Sequence, residues 1–418
     1  MQLSSATDAT ATPRALDNRA GNTILARLDR PLAAGLIALA GWAAFVIARL
    51  AGWAGGRLDL FIMSGTRYSH AAAMYPTLKH VPLAGYDGQF FYRFALNPVN
   101  WHVTAYGITI DHAYRYTRIG YSVVAWFLAL GGHGRVLPLV LVLVNLVSVA
   151  AMAYLGALLA RDAGRHALWG LLFAAYFGLV ISVGRDTSEP LADACLLGGL
   201  LAYRRSRYLV AAWLISYGVF TNEPVLAMPA ALAAVRLYQI ARRRARPGKP
   251  DLVWLAPAVL YLLLQGIQRL VVPGRAGGVS DAAANLTLPF KALVPGVYRD
   301  IHRMSWSHLG RYDYNLIEFL ALGAFVVTAL LVIRSTGAPV HERAAFVAFL
   351  LIEMVLASGQ FWDSVFGEGR TFIDTYVMAC VIVLATPGRI ATSRRLGVLA
   401  AIALTVLLLL ARRRVLFE

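Results

Sequence analysis

Apolar residues in this chain gather in long unbroken stretches, not in the short rhythms of a soluble protein. The first runs from Pro31 to about Trp53. Others cover about 137–160, 167–184, 190–203, 208–222, 224–240, 252–271, 315–333, 344–360, 371–387 and 395–411. Several reach the roughly 20 residues that span a bilayer core. The pattern predicts an all-α, polytopic transmembrane protein of about ten to twelve helices, with one membrane domain over 31–411. Alternating ten-residue strands, which would mark a barrel, do not occur. Three runs, 119–131, 190–203 and 208–222, are marginal for spanning unless their helices are irregular or flanking residues snorkel. The first of them is expected in the interface, or as half of a broken helix. The Pro31–Trp53 run is too long for a signal-peptide core and lacks a convincing cleavage site, so it reads as a retained transmembrane helix. Residues 1–30 read as a disordered cytoplasmic tail, and 412–418 as a basic C-terminal tail.

Composition strengthens this picture. Hydrophobic residues make up 59% of 418 and charged residues 15%, where soluble domains carry about a quarter charged. The net charge of +17 does not point to nucleic acid, because no compact basic domain exists to present it. Basic residues instead orient membrane proteins. Six of them fall between Arg236 and Lys249 with no acid among them, which places that loop in the cytoplasm. Counting outward, Arg161–Arg165, Arg204–Arg207, Arg334–Arg343 and Arg389–Arg395 share its side, and the N-terminal tail does too, provided 119–131 does not cross. Arg412–Arg414 disagree and fall on the opposite side. Two long loops, 54–136 and 272–314, are then extracytoplasmic, and long ordered loops are usually functional. Cys195 and Cys380 lie in apolar runs and read as small buried hydrophobes, with no disulfide framework or metal cluster implied.

The richest chemistry lies in the first loop. Gly85-Tyr86-Asp87-Gly88-Gln89-Phe90-Phe91-Tyr92-Arg93 places a carboxylate between an aromatic and a glycine, where a tight turn is expected and a helix is poorly supported. Tyr86, Gln89 and Arg93 accompany Asp87 as candidate substrate-binding groups. Further on, Asp111, Arg115 and Arg118 would share one face if their segment were helical. They read equally as a structural ion pair or as a phosphate site, since arginine's planar fork suits phosphate oxygens. Two later motifs, Gly184-Arg-Asp186-Thr-Ser-Glu189-Pro190 and Phe220-Thr-Asn-Glu223-Pro224, place Glu-Pro at probable helix starts. Simple capping explains each alone, while their repetition on the side of Asp87 favours a site. Asp363 and Arg370, in Phe361-Trp-Asp363-Ser-Val-Phe-Gly-Glu-Gly-Arg370, offer an acid and an arginine at another helix mouth. Glu353, Asp193 and Arg269 fall within apolar runs, where ionisable groups are functional candidates. No nucleotide loop, zinc spacing or Ser-His-Asp signature stands out.

The Tyr-Asp-Gly-Gln-Phe-Phe-Tyr motif at 86–92, Ala95 and Pro98, and Tyr114-Arg115 with Arg118-Ile119 resemble bacterial multi-pass membrane proteins related to the GT-C glycosyltransferases. The Glu-Pro helix starts and Trp362-Asp363 with Gly369-Arg370 extend the likeness over about residues 30–390. The resemblance implies a GT-C-like fold in the bacterial inner membrane, a polyprenyl-phosphate-linked sugar as donor, and a glycan, lipid or protein acceptor on the extracytoplasmic face. By position Asp87 would be the catalytic acid of the first loop, with Asp111 a weaker candidate. Many members pair two acids there, whereas Gly88 follows Asp87 here. A divalent cation is therefore compatible but not required, and Arg115, Arg118 or Arg370 would stabilise the leaving phosphate. Two other classes fit the same helices: a transporter or flippase of lipid-linked glycans, and a non-catalytic subunit of an envelope-assembly complex. A transporter would place its ionisable residues near the bilayer midplane, with internal repeats.

Overall fold

The computed structural model describes residues 24–74, 78–272, 286–305, 309–356 and 368–416. Asp363, most of the 1–30 tail, part of the 272–314 loop and the end of the 344–360 run lie outside the described residues. In chain order the principal helices are α1 (Pro31–Ala51), α2 (Gly88–Leu96), α3 (Gly120–Leu128), α4 (Leu137–Asp162), α5 (Leu171–Ala174), α6 (Leu179–Gly184), α7 (Glu189–Arg204) and α8 (Tyr208–Thr221). They continue with α9 (Ala227–Ala241), α10 (Leu252–Val271), α11 (Leu293–Arg303), α12 (Arg311–Val332), α13 (Val340–Met354), α14 (Glu368–Thr371), α15 (Ile373–Leu384) and α16 (Arg389–Leu416). One two-residue antiparallel pair, Thr104–Ala105 with Ile108–Thr109, interrupts the first loop.

Among the described residues, six helical stretches are long and apolar enough to cross a membrane: Pro31–Ala51, Leu137–Asp162, Glu223–Ala241, Lys249–Val271, Arg311–Val332 and Ile390–Val415. Their outward faces and those of their neighbours leave Leu209, Trp213, Leu262, Leu270 and Leu331 exposed, which suits hydrocarbon and not water. The chain is a multi-pass helical membrane protein. At its centre, α15 is buried at every residue. A second apolar cluster, with Phe90, Phe91, Phe94, Tyr116 and Tyr121 packed on Leu137 and Leu141, anchors the first loop to the start of α4.

The two ends of the bundle differ in what they join. At one end, the Arg161 Nη1 donates to the Asp29 carbonyl at 2.8 Å and Arg165 Nη2 to the Thr386 carbonyl at 2.6 Å. There too, Arg204 grips Glu342 through two bonds of 2.6 and 2.5 Å. Arg236 Nε holds Asp251 Oδ1 at 2.8 Å. The basic clusters that orient the sequence thus share one end, as expected. At the other end lie the first loop, the start of α7 and the short α14. The segment 119–131 does not cross: α3 has nine residues and lies across that end, with Tyr121 Oη donating to the Leu141 carbonyl at 2.8 Å.

Two expectations change. The 167–184 run is not one helix. It is a 3₁₀ turn at Ala167–Gly170, then α5, a break at 175–178, and α6. An ideal Cβ on Gly178 would stand 1.7 Å from the Gly369 carbonyl oxygen, so only glycine allows this approach, and the chain bends to make it. Because the run is buried on nearly all sides, hydropathy alone could not reveal the break. The expected basic tail at 412–418 is also helical through Leu416. Arg414 is buried, and its carbonyl accepts from Arg49 Nη1 at 2.6 Å. The disagreement over Arg412–Arg414 is thereby explained: α16 runs from the basic end to the opposite one and turns two of its arginines inward among other charges.

Candidate functional site

The 86–93 motif starts a helix, contrary to the turn expected for it. Asp87 stands at the N-cap of α2 with φ −63 and ψ −26, and its side chain makes no capping bond. Gly88 makes this entry fit. A Cβ there would lie 2.5 Å from the Arg185 carbonyl oxygen and 2.7 Å from that of Ile62. The glycine that stands where a second acid was sought therefore lets the start of α2 press against the 185–188 turn. Gln89 fastens the loop: its Oε1 accepts from Gly65 N–H at 3.1 Å, and its Nε2 donates to the carbonyls of Ala84 and Tyr86 at 2.8 and 2.9 Å.

Freed from capping, the Asp87 carboxylate lies between two guanidiniums. Arg115 Nη1 donates to Oδ1 at 2.8 Å, and Arg370 Nη1 pairs with Oδ2 at 2.7 Å. Each arginine also holds a second acid. Arg115 forks onto Asp111, with Nη2 to Oδ2 at 3.1 Å, and stacks on the Phe90 ring 3.8 Å from its centroid. Arg370 Nε pairs with Glu189 Oε1 at 3.2 Å, while Glu189 Oε2 accepts from Ser182 Oγ at 3.2 Å and from Thr187. The chain of charges Asp111–Arg115–Asp87–Arg370–Glu189 ties the first loop to α7 and α14. Tyr86 lies between the guanidiniums of Arg185 and Arg370, 4.5 and 4.9 Å from its ring centroid.

One helical turn further in, a second rung repeats the contact. Asp193 follows Glu189 by four residues in α7, and Asp374 follows Arg370 by four across the α14–α15 junction. The two aspartates stand side by side, buried, with Glu353 and Thr375 next to them.

Burial raises the Asp87 carboxyl, but Arg115 and Arg370 outweigh it and hold the group far below the ordinary carboxylate range. Burial opposes the charge on Arg370 as well, and Glu189, Tyr86 and Asp87 more than restore it. In Arg115, Asp87 is the largest influence restoring the charge against burial. Asp87, Arg115 and Arg370 are therefore held ionised, in a place where an unpaired charge would be costly.

Among the candidates, the structure brings Tyr86, Asp87, Asp111, Arg115, Glu189 and Arg370 together. Arg118 and Glu223 form a separate two-bond pair beside Tyr114, with Nη2 to Oε1 at 2.6 Å. The Asp111–Arg118 segment is not one helix face, because only Ala113–Tyr116 forms a 3₁₀ turn and Arg118 turns away to Glu223. Arg93 does not join: it is buried in the loop core, donating to the His102 carbonyl and lying over Phe94. Gln89 is a fastener of the loop, not a group facing a ligand. Asp186 is fully buried beneath the cluster in a left-handed conformation, φ 47, which is strained for a non-glycine residue.

Arg49, Arg185, Arg414 and Glu318 went unnoticed as candidates. Arg49 and Arg414 look like ordinary helix flanks in the sequence, Arg185 like a neighbour of Asp186 and Glu318 like a lone acid in an apolar run, and only tertiary folding gathers them around Arg414. Asp87, Asp111 and Glu189 each face an arginine, and among the described residues no group of three or more His, Cys, Asp and Glu side chains is placed to hold a metal ion. What the cluster offers is a set of guanidiniums held by exchangeable carboxylates, a chemistry suited to a phosphate. Comparison with protein-family models, with curated proteins and with solved structures gave no match.

Proposed function

We propose that the protein is a GT-C-like integral membrane glycosyltransferase of the bacterial inner membrane. It would move a sugar from a polyprenyl-phosphate donor to a glycan, lipid or protein acceptor on the extracytoplasmic face. The observation that carries this reading is the sharing of Asp87 between Arg115 and Arg370 at the end of the bundle opposite the basic loops. Each arginine has five N–H donors in a fixed fork, so it can take up a phosphate oxygen while keeping a carboxylate. In the transfer, the acceptor oxygen bonds to the anomeric carbon while the bond from that carbon to the phosphate oxygen breaks. The electron pair leaves with the lipid phosphate, whose charge Arg370 and Arg115 neutralise. The acceptor proton passes to Asp87. Between two arginines Asp87 is a weak base, and it gains basicity as a bound phosphate takes a share of both guanidiniums.

The test is the purified full chain, reconstituted with polyprenyl-phosphate-linked hexoses and pentoses and a membrane acceptor fraction. Asp87→Asn should lower transfer by about a hundredfold or more without loss of folding. Unchanged transfer by a well-folded variant would remove Asp87 from the chemistry. A second reading, transport, draws on the buried Asp193, Asp374 and Glu353, since ionisable groups inside a bundle mark proton or substrate paths. It is favoured if Asp374→Asn abolishes proton-coupled movement of a lipid-linked glycan across vesicles while Asp87→Asn does not.

A further inference from the structure

Beside Gly369 lies a carboxyl group that makes no hydrogen bond among the described residues. Glu318 sits two turns into α12, 1% exposed, and neither of its oxygens has a hydrogen-bonding partner among the described residues. Burying a carboxylate in this way is costly, so the position calls for a reason. Glu318 lines a small cavity with Tyr176, Phe177, Phe319, Leu322 and Phe372, and the cavity is closed on one side by Gly369. The missing side chain at 369 makes the space: a Cβ there would stand 2.6 Å from Glu318 Oε2. The room left is that of a single water-sized group. Gly369 precedes Arg370 in the chain, and Arg414 feels both Glu318 and Tyr86, which ties the slot to the surroundings of the proposed phosphate seat.

The surroundings restrict what can enter. An anion brings no proton donor for the two unsatisfied oxygens of Glu318. A cation meets the field of Arg413 and Arg414, the positive charges that Glu318 feels. A neutral donor of hydroxyl size satisfies the carboxylate and is opposed by neither.

We propose that Glu318 is a specificity-determining residue that accepts a hydrogen bond from a sugar hydroxyl of the ligand held on Arg370 and Arg115. The inference rests on reading that arginine cluster as the seat of a lipid phosphate. The full chain in nanodiscs is titrated with two kinds of probe: plain polyprenyl phosphate, and the same lipid phosphate bearing a hexose or a pentose. The wild type should bind plain lipid phosphate and prefer at least one sugar-bearing form by about ten- to a hundredfold, as satisfying a buried acceptor otherwise left without a hydrogen bond allows. Glu318→Leu, which removes the acceptor, should bind plain lipid phosphate as the wild type does and lose most of that preference. Gly369→Ala, which fills the slot, should do the same, and it stands in if Glu318→Leu does not fold.

If the wild type binds plain lipid phosphate without any sugar preference, or either folded variant keeps the preference, the role of Glu318 is overturned while the anion seat stands. Binding of neither probe by the wild type overturns the seat and the inference together. A buried water held by Glu318 for structural reasons alone would show as an undiminished preference with a changed melting temperature.

Discussion

The two ends of this bundle use the same residue types in opposite ways. At the basic end, Arg204 and Glu342 form a closed pair through two bonds, and Arg236 with Asp251 form another. At the other end, Asp87 is divided between two arginines and Arg370 between two acids, with Asp186 and Glu318 buried nearby without hydrogen-bond acceptance. A closed pair fastens helices and offers nothing to a third group. A shared chain of charges has no single best partner for each member, and a ligand can enter it by exchange.

The largest test of that contrast is on the closed side. Glu342 is fully buried, so Arg204→Ala leaves a lone buried acid and should cost about 3–5 kcal/mol of stability. It should leave lipid-phosphate binding by the folded fraction unchanged, as read by chemical denaturation alongside a binding titration. A variant that folds normally would show the basic end to be less closed than the geometry implies. On the open side, Arg370→Gln removes the residue that joins Asp87 to Glu189. Binding of plain polyprenyl phosphate should weaken by about thirty- to a hundredfold, in line with losing a charge-assisted contact, with a smaller fall in melting temperature than Arg204→Ala gives.

Acid should separate the wild type from Asp87→Asn in a definite direction. The folded Asp87 carboxyl is held far below its unfolded value by Arg115 and Arg370. Its contribution is therefore complete above the unfolded range near pH 4, and is lost as pH falls from there toward the folded value. The gap in melting temperature should be constant from about pH 5 to 8 and close progressively below about pH 4. A gap that opens only as pH falls would mean that Asp87 is not held by its arginines. The smallest effect belongs to the loop fastener: Gln89→Ala should cost about 1–2 kcal/mol and slow any transfer only in proportion to loosening of the first loop.

Much of the membrane architecture was legible because hydrocarbon demands long apolar helices, and α4, α10 and α12 appear close to where the runs predict. The charge asymmetry also carried over: Arg161, Arg165, Arg204 and Arg236 gather at one end. Legibility failed where burial is complete on all sides. Tyr176, Phe177 and Gly178 read as the middle of a helix, yet they break it to meet Gly369. In the site, Asp87, Arg115, Glu189 and Arg370 could be singled out because each stands in a polar motif between apolar runs. Arg93 and Gln89 belong to the same motif but serve the loop, since one turn of helix sends neighbours in different directions. Arg49, Arg414 and Glu318 could not be found from local sequence. Their meaning comes from being brought together across more than three hundred and sixty residues, as in the Arg49–Arg414 contact.

The repeated contact between α7 and the α14–α15 junction limits how this protein can move. Glu189 with Arg370 and Asp193 with Asp374 make two steps at the same four-residue spacing, so axial sliding of one helix past the other would break both steps together. Rotation or tilting of the helices outside this seam meets no such obstacle. Any opening that admits a long lipid would therefore leave α7 and α15 locked in register as a fixed spine, and would part the wall elsewhere.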